Sequence, residues 1–448
     1  MLRFRTIYIL ISFILISCKD YLDVKSNSGL ATPDNFEAMQ RILDNMNVMN
    51  INTNPLGEAS ADNYFLPSPA YSAIDFRSKE TYTWRIVNNN YPNEWATSYL
   101  TVYHSNIVLD NLKNIERNDA NKRTWDQLAG AAYFYRSYAY LNILWTYAKG
   151  YEESKKDLYP GIVLRVDTDP YKQSTRSSIA ECYNSIIHDL ALSISLLPKQ
   201  SEHALRPSKA AAYGLLARTY LSMGRYDKSE VYADSAWMIS SKLMDFNTLD
   251  TSVQFPFARY NSETIFFSQM SNTVPAMNYY NALVDTVVFK SYNKDDLRLK
   301  LFFAKGADGY YQFRGSYAGA TDFFTGITTA EILLMRAESY VRNGRVKEGL
   351  ADLNELMRHR YITGKYTELT GLGLQEALDK VLEERRKELL FRGLRWMDVK
   401  RLNIEGRNIV LRRSIPEGVL ELEPNSNRYA LPIPTDIVER TGIQQNPQ

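Results

Sequence analysis

The sequence predicts an all-α fold built from pairs of helices. Two segments, residues 208–242 and 328–356, carry the tetratricopeptide spacing, in which small residues let two helices approach and a glycine reverses the chain. Their turns fall at Gly224 and Gly344. Several other segments repeat apolar residues every three or four positions, which is typical of amphipathic helices. Two registers this similar indicate a helical-repeat scaffold.

The remaining helices are predicted from the same periodicity. Residues 32–49 begin with Thr32, Pro33 and Asp34, a common helix start. Apolar periodicity then predicts helices over residues 93–115, 125–147, 177–197 and 374–391. In the second of these the repeating side chains are Leu128, Ala132, Tyr135, Ala139 and Ile143.

Three stretches lack helical periodicity: residues 50–92, 246–326 and 403–448. They are rich in Asn, Gly, Pro, Ser and aromatic residues. The middle stretch contains a predicted strand at residues 263–268 and a turn-rich run at residues 306–311. Because loops on a rigid scaffold commonly carry function, we expect the binding site there.

The N-terminus predicts a lipid anchor at Cys18. Arg3 and Arg5 precede an apolar run over residues 6–16, and Cys18 directly follows Ser17. This pattern predicts a bacterial lipoprotein signal at residues 1–17, with acyl chains attached to Cys18 after cleavage. The alternative, a short membrane span, is disfavoured because a span needs about 20 apolar residues.

The amino-acid composition disfavours some classes of binding partner. The chain has 53 Lys and Arg against 51 Asp and Glu, and losing Arg3 and Arg5 leaves 51 of each. That neutrality disfavours nucleic acid and anionic lipid as main partners.

The Walker, G-x-S-x-G, H-E-x-x-H and C-x-x-C motifs are absent, and the four histidines are scattered, so neither a cofactor nor a metal site is predicted. A carboxylate pair for glycoside hydrolysis is left open. Cys182 lies in an apolar helical stripe and is predicted to be core.

Aromatic and amide side chains in the loops are the candidate ligand-binding residues, because sugar rings stack on Tyr or Trp and amides reach their hydroxyls. For each one, ordinary loop packing is the competing interpretation. The first group is Asp62, Asn63, Tyr64, Arg77, Trp84 and Asn88; the second is Tyr279, Tyr280, Tyr292, Tyr310 and Tyr311, with Phe313 and Tyr317 beside them. By contrast, the charged residues of 383–401, with Arg136, Asp296 and Arg298, are predicted to form structural ion pairs.

Six ordered blocks of the chain resemble the starch-utilisation D-type (SusD/RagB) outer-membrane lipoproteins of Bacteroidota. The blocks are C-K-D-Y-L-D from Cys18, A-Y-F-Y-R-S-Y-A-Y from Ala132, Y-P-G-I-V from Tyr159, R-P-S-K-A-A-A from Arg206, E-R-R-K-E-L from Glu384 with F-R-G-L-R-W-M-D from Phe391, and L-P-I-P from Leu431 with Q-N-P from Gln445. The chain ends in Gln448 where such proteins have Gly.

The resemblance implies four tetratricopeptide-like helix pairs as a scaffold, with irregular segments and a few short strands on one side. It divides the chain into residues 18–245 and 246–448, the latter comprising a loop-rich segment 246–326, a helix pair 327–357 and a C-terminal block 374–448. It also implies a non-enzymatic protein on the outer face of the outer membrane. Such a protein captures a glycan, or a peptide, and closes as a lid over a SusC-like TonB-dependent transporter. The alternatives are a tetratricopeptide scaffold of outer-membrane assembly and a surface glycosidase.

Overall fold

The protein, seen here in a computed structural model, is described over residues 35–85 and 93–448. Its N-terminal part is mostly helical. In chain order the elements are α1 (Phe36–Leu43), α2 (Met46–Met49), α3 (Leu56–Ser60), β1 (Tyr64–Phe65), α4 (Ser68–Ala73), α5 (Phe76–Tyr82), α6 (Glu94–Leu112), α7 (Lys122–Tyr147), β2 (Pro160–Val163), β3 (Arg176–Ser178), α8 (Ile179–Leu196), α9 (Lys209–Ser222) and α10 (Tyr226–Trp237).

The C-terminal part starts with short elements and returns to long helices. They are β4 (Thr264–Phe266), β5 (Leu283–Val284), α11 (Thr286–Lys290), α12 (Arg298–Leu301), β6 (Phe303–Lys305), β7 (Tyr311–Phe313), β8 (Ile327–Thr328), α13 (Thr329–Arg342), α14 (Val346–Arg358), α15 (Leu374–Glu388), α16 (Arg395–Ile404), β9 (Leu411–Ile415), β10 (Gly418–Leu422) and α17 (Thr435–Thr441). Single 3-10 turns lie at Phe246–Thr248, Pro275–Met277 and Asn427–Tyr429.

Side-chain caps explain where the scaffold helices begin. The side chains of Asn93, Ser208 and Thr328 each accept a hydrogen bond from the backbone N–H of the residue three positions later in the chain. Ser178 and Glu181 form a reciprocal capping box at the start of α8. Each cap satisfies a backbone donor that the first helical turn leaves without a partner. The predicted starts of these helices are therefore confirmed to within two residues.

The predicted helix pairs are present and pack against one another. Helices α9 and α10 form one pair and α13 and α14 the other, while α10 lies against α13, and α7 packs between α6 and α8. Gly224 and Gly344 turn the two pairs with φ of 68° and 82°. A side chain at this left-handed conformation is strained, so glycine is the residue that closes both turns. The all-α fold predicted from the sequence is confirmed.

Two predictions about helices are corrected. The single helix expected over residues 32–49 is two helices, α1 and α2, because Asp44 and Asn45 are not helical. Residues 32–34 of the expected helix lie outside the described residues. The stretches expected to be non-helical contain short helices: α3, α4 and α5 in residues 50–92, α11 and α12 in residues 246–326, and α17 in residues 403–448. These helices have only four to seven residues, which is too short for a 3.6-residue period to show.

Buried polar contacts join the two predicted parts of the chain. Asn50 donates from Nδ2 to the carbonyl of Phe267 in the C-terminal part at 2.8 Å, and to that of Leu205 in its own part at 2.9 Å. Arg218 forms a two-pronged ion pair with Glu331, each N to O distance being 2.7 Å. The division at residue 245 stays a prediction. Cys182 is free and fully buried, which confirms its place in the core.

Every helix in residues 35–85 and 93–448 is too short or too polar to span a lipid bilayer.

Candidate functional site

A four-stranded antiparallel sheet, in the order β1, β5, β7, β6, brings the two predicted groups of residues together. Tyr64 on β1 pairs with Val284 on β5, and Leu283 pairs in turn with Gln312 on β7. More than 200 residues separate β1 from its partner, so the pairing is set by the tertiary fold. The two stretches predicted to carry the site are therefore neighbours in space.

Three of the predicted aromatic residues are buried, and backbone carbonyls accept their polar hydrogens. The Tyr64 hydroxyl donates to Ala59 O at 2.7 Å, Trp84 Nε1 to Ser60 O at 2.8 Å, and the Tyr292 hydroxyl to Lys387 O at 2.7 Å. Their exposed fractions are 1%, 2% and 7%. Phe313 and Tyr317 are core residues as well. In this conformation these rings present no face to a ligand, so we leave them out of the site.

Arg413 organises the buried side of this region. Its Nη1 donates to Tyr64 O at 2.7 Å, and its guanidinium lies over the rings of Tyr82 and Tyr64, 4.3 and 4.8 Å from their centroids. The ring of Trp84 is 5.5 Å away. The backbone of Trp84 has φ of 57°, a left-handed conformation that is strained for a bulky residue. A buried cation therefore holds the chain around Trp84 in place.

The polar members of the first group also serve the scaffold. Asp62 pairs with Arg395 and Arg386, at 2.6 and 3.0 Å. Burial opposes its ionisation, but the two guanidiniums outweigh that effect and hold the pKa of Asp62 below its usual range. Asn63 donates to Glu58 at 2.7 Å. Burial raises the pKa of Glu58 to about 7 despite this hydrogen bond.

Arg77 joins the scaffold to the second loop stretch. It is ion-paired with Glu94 in the first turn of α6, and the other oxygen of Glu94 accepts a 2.7 Å hydrogen bond from Thr273. Arg77 keeps 29% of its side chain exposed, so it borders the surface. Asn88, the last member of the first group, lies outside the described residues.

The second group places two tyrosines on the surface. Tyr280 is 70% exposed and Tyr310 is 41% exposed. Tyr279 is buried and meets the Tyr280 ring edge to face, with 5.2 Å between centroids. Tyr311 is half-buried and stacks on Phe289 at 3.8 Å. Tyr280 and Tyr310 are thus the predicted rings that a ligand can reach.

Local turns hold these two tyrosines outward. The side chain of Asn278 accepts hydrogen bonds from the backbone N–H groups of Tyr280 and Asn281, at 3.0 and 2.8 Å. Gly309, with φ of 87°, turns the chain between β6 and β7 just before Tyr310. The rings are therefore presented by ordered backbone.

Sequence reasoning missed Phe65 and Phe76. Phe65 meets Tyr310 edge to face at 5.0 Å, and Phe76 is 72% exposed. Side chains alternate across a strand, so a buried Tyr64 implies that Phe65 points to the other face. This alternation was the available signal for Phe65. We call Phe65, Tyr280 and Tyr310 the aromatic surface; Phe65 and Tyr310 are in contact, and Tyr280 lies in the segment that leads into β5.

The aromatic surface suits a ligand with flat apolar faces and polar edges. Its rings offer stacking area, and the half-buried amides of Asn281 and Gln312 lie beside Tyr280 and Tyr310 in the chain. Sugar rings match this mixture of contacts. Among the described residues, no group of three or more His, Cys, Asp or Glu side chains is placed to hold a metal ion.

A cavity of about 620 Å³ lies beside α6 and shares no residue with the aromatic surface. Its charged side chains are already engaged within the protein. Arg165 donates to Lys172 O at 2.7 Å, and Asp167 pairs with the Lys172 ammonium at 2.7 Å. We therefore place the candidate site at the sheet.

The charged C-terminal block is structural, as predicted. Arg298 is completely buried and contacts Asp296, Glu384 and Glu388 at 2.7, 2.5 and 3.1 Å. Arg136 likewise forms a two-pronged pair with Asp189, at 2.7 and 2.8 Å. Paired carboxylates and guanidiniums of this kind stabilise one another in a buried setting.

Comparison with known proteins agrees with this architecture. Residues 20–221 match a family described as starch-binding and associating with the outer membrane, and residues 277–448 match the SusD family. A SusD-like protein P2 of Formosa agariphila is 24% identical over 428 residues, covering 79% of each chain.

Solved structures share the fold at low identity. A putative sugar-binding protein from Bacteroides vulgatus superposes with a TM-score of 0.77 at 20% identity, covering 93% of this chain and 99% of its own. A laminarin-binding SusD-like protein gives 0.65 at 17% identity, with 91% and 97% coverage.

Proposed function

The chain belongs to the SusD/RagB family, and from that premise we propose that it captures a nutrient glycan at the cell surface and delivers it to a partner TonB-dependent transporter. The observation that carries the proposal is the aromatic surface, where the exposed Tyr310 meets the half-buried Phe65 edge to face and the exposed Tyr280 lies in the segment that leads into β5. A similar fold in a laminarin-binding protein supports a glycan as the ligand class.

The chemistry of the surface favours a glycan over a peptide. Tyr280 and Tyr310 offer ring faces that match the C–H face of a pyranose, and their hydroxyls can share hydrogen bonds with sugar hydroxyls. Binding a charged peptide terminus calls for a fixed opposite charge. The carboxylate of Asp62 and the guanidiniums of Arg386 and Arg395 are already paired with one another.

We also propose that Cys18 anchors the protein by lipid to the outer leaflet and that the helical body acts as a lid for the transporter. The sequence motif supports the anchor, and family membership supports the transporter. Cys18 itself lies outside the described residues. Protease treatment of intact cells checks the orientation: the protein should be digested, and full protection would contradict an outward-facing anchor.

Calorimetric titration of the mature chain tests the capture role. The panel should contain a β-1,3-glucan, starch oligosaccharides, fructans and peptides. We expect saturable binding to a glycan with no release of reducing ends. Binding to peptides alone would shift the function to the oligopeptide alternative, while new reducing ends would identify a glycosidase.

A further inference from the structure

A cleft of about 310 Å³ lies between the end of α7 and α16, and none of its lining residues belongs to the aromatic surface. Its charged lining residues are three lysines and one glutamate: Lys149, Lys155, Lys400 and Glu152. We call it the lysine cleft. Its volume is within the range of sites that hold small ligands.

The positive charge of the lysine cleft is only partly neutralised. Lys155 pairs with Glu152 at 2.8 Å. Lys149 donates at 2.6 Å to the neutral amide of Asn427, and neither Lys149 nor Lys400 has a carboxylate within 4 Å in residues 35–85 and 93–448. Three lysines therefore share one carboxylate.

Lys400 is the buried member of the cleft, with only 5% of the residue exposed. Its Nζ donates to the carbonyls of Trp145 and Ala148 at the end of α7, at 2.7 and 2.5 Å. An ammonium has three N–H groups, so one is left over. The carbonyls at a helix C-terminus supply only about half a negative charge, so the charge of Lys400 is incompletely balanced.

The lysines also disfavour one another's charged state. Burial, followed by the nearby charge of Lys149, lowers the pKa of Lys400 to about 7. Burial and Lys155 lower the pKa of Lys149 in turn, while Glu152 opposes that shift. An anion in the cleft would relieve this repulsion.

The cleft also has an aromatic wall and a closely packed glycine. The ammonium groups of Lys149 and Lys155 lie 5.6 and 5.8 Å from the centroid of Tyr159. A side chain at Gly150 would place its Cβ 2.6 Å from Ile404, so this position accommodates only a glycine without a shift of its neighbours. We propose that the lysine cleft binds an oxyanion carried on a sugar ring, either a uronate carboxylate or a sulfate ester.

In this arrangement Lys149 and Lys400 contact the oxyanion and Tyr159 lies against the ring. The site goes beyond the glycan contact at the aromatic surface and does not depend on it. Free inorganic oxyanions share the same chemistry, so the experiment separates the two sources.

Titration calorimetry with the mature protein tests the lysine cleft. The probes are sodium sulfate, D-glucuronate and D-glucose, in a buffer free of other oxyanions and matched in ionic strength with chloride. We expect saturable binding of sulfate and glucuronate and none of glucose. Lys149→Gln and Lys400→Met should each weaken anion binding by about tenfold or more, whereas the exposed Lys242→Gln should match the wild type.

Binding of sulfate without glucuronate would rule out a uronate as the ligand, and a titration with D-glucose 6-sulfate then decides between the two remaining sources: no binding of this ester would overturn the assignment to a sugar. Absence of saturable anion binding, or equal binding by the wild type and Lys149→Gln, would overturn the site itself. Lys149 is half-buried and its loss leaves no buried group unpaired, so this variant remains informative if Lys400→Met fails to fold. Changes at Tyr280 and Tyr310 should leave sulfate binding intact, which separates this test from that of glycan capture.

Discussion

Tyr64 and Tyr280 show the two uses of tyrosine in this chain. Tyr64 is buried under Arg413 with its hydroxyl bonded to a carbonyl, whereas Tyr280 holds 70% of its surface in solvent. Composition could not separate them, because both belong to irregular segments with similar neighbours. The distinction depends on strand pairing and on the guanidinium of Arg413, which is distant in the sequence from both tyrosines.

From the raised pKa of Glu58 we predict that the free energy of unfolding decreases as the pH rises from about 4.5 to about 7. Its pKa is raised from 4.5 to about 7 by burial. Between these values the folded protein keeps a proton that the unfolded chain has lost, so the free energy of unfolding falls with pH and levels off above 7. The full shift corresponds to about 3 kcal/mol.

Urea unfolding of Glu58→Gln at pH 5 and pH 8 checks this prediction. Glutamine keeps the oxygen that accepts from Asn63 but cannot ionise, so most of the decrease should disappear. Glu37→Gln, at an exposed position in α1, should show the decrease of the wild type. A Glu58→Gln protein with the full decrease would contradict the assignment.

Arg413 predicts a large loss of stability on substitution. Arg413→Leu leaves the buried carbonyls of Tyr64 and Tyr82 without their donor, which we expect to lower the free energy of unfolding by about 3 kcal/mol. Arg412, its neighbour on β9, is exposed and pairs with Glu421. Arg412→Leu should therefore change stability by only about 0.5 kcal/mol. Urea denaturation of both variants gives the comparison, and equal losses would contradict the role of Arg413.

For the helices and strands, the length of each element determined whether the sequence could predict it. Helices such as α7 and α13 span several turns, so their apolar periodicity was visible in the sequence. The helices α3 to α5 and the strands of the four-stranded sheet contain two to seven residues, and distant partners stabilise them. The meeting of the two loop groups could not be predicted, because it depends on the pairing of β1 with β5.

The hairpin of β6 and β7 predicts a separable effect on binding. Gly309→Ala forces a side chain into a left-handed conformation, at a cost of about 1 kcal/mol, and should shift Tyr310 and weaken glycan binding. Gly364 has a similar φ of 75° and open space around it, so Gly364→Ala should lower stability equally and leave binding unchanged. Thermal melts and calorimetry measure both. If binding is weakened alike in the two variants, the hairpin has no specific role.

At the scale of the whole molecule, the halves of the chain are predicted to unfold together. The ion pair of Arg218 with Glu331 and the hydrogen bond from Asn50 to the Phe267 carbonyl are buried between residues on either side of residue 245. Exposing them in one half would leave unpaired charges in the other. Urea transitions followed by far-ultraviolet circular dichroism and by tryptophan fluorescence should coincide. Two separate transitions would support independent domains.

The family blocks gave the overall fold and the expected class of function from the sequence, but they did not single out the exposed rings. Glycan capture at the aromatic surface therefore depends on the structure for its residues and on family membership for its ligand class. Its most direct test must distinguish these rings from any exposed tyrosine. Tyr171, which is 94% exposed between β2 and β3, provides the matched control.

The decisive measurement is the affinity of the wild type, Tyr280→Ala, Tyr310→Ala and Tyr171→Ala for the glycan that binds best in the panel. Stacking on an aromatic ring contributes about 0.5 to 1.5 kcal/mol, so the first two variants should each bind about twofold to tenfold more weakly. Tyr171→Ala should bind like the wild type. Unchanged affinity in both Tyr280→Ala and Tyr310→Ala would contradict the aromatic surface as the glycan site.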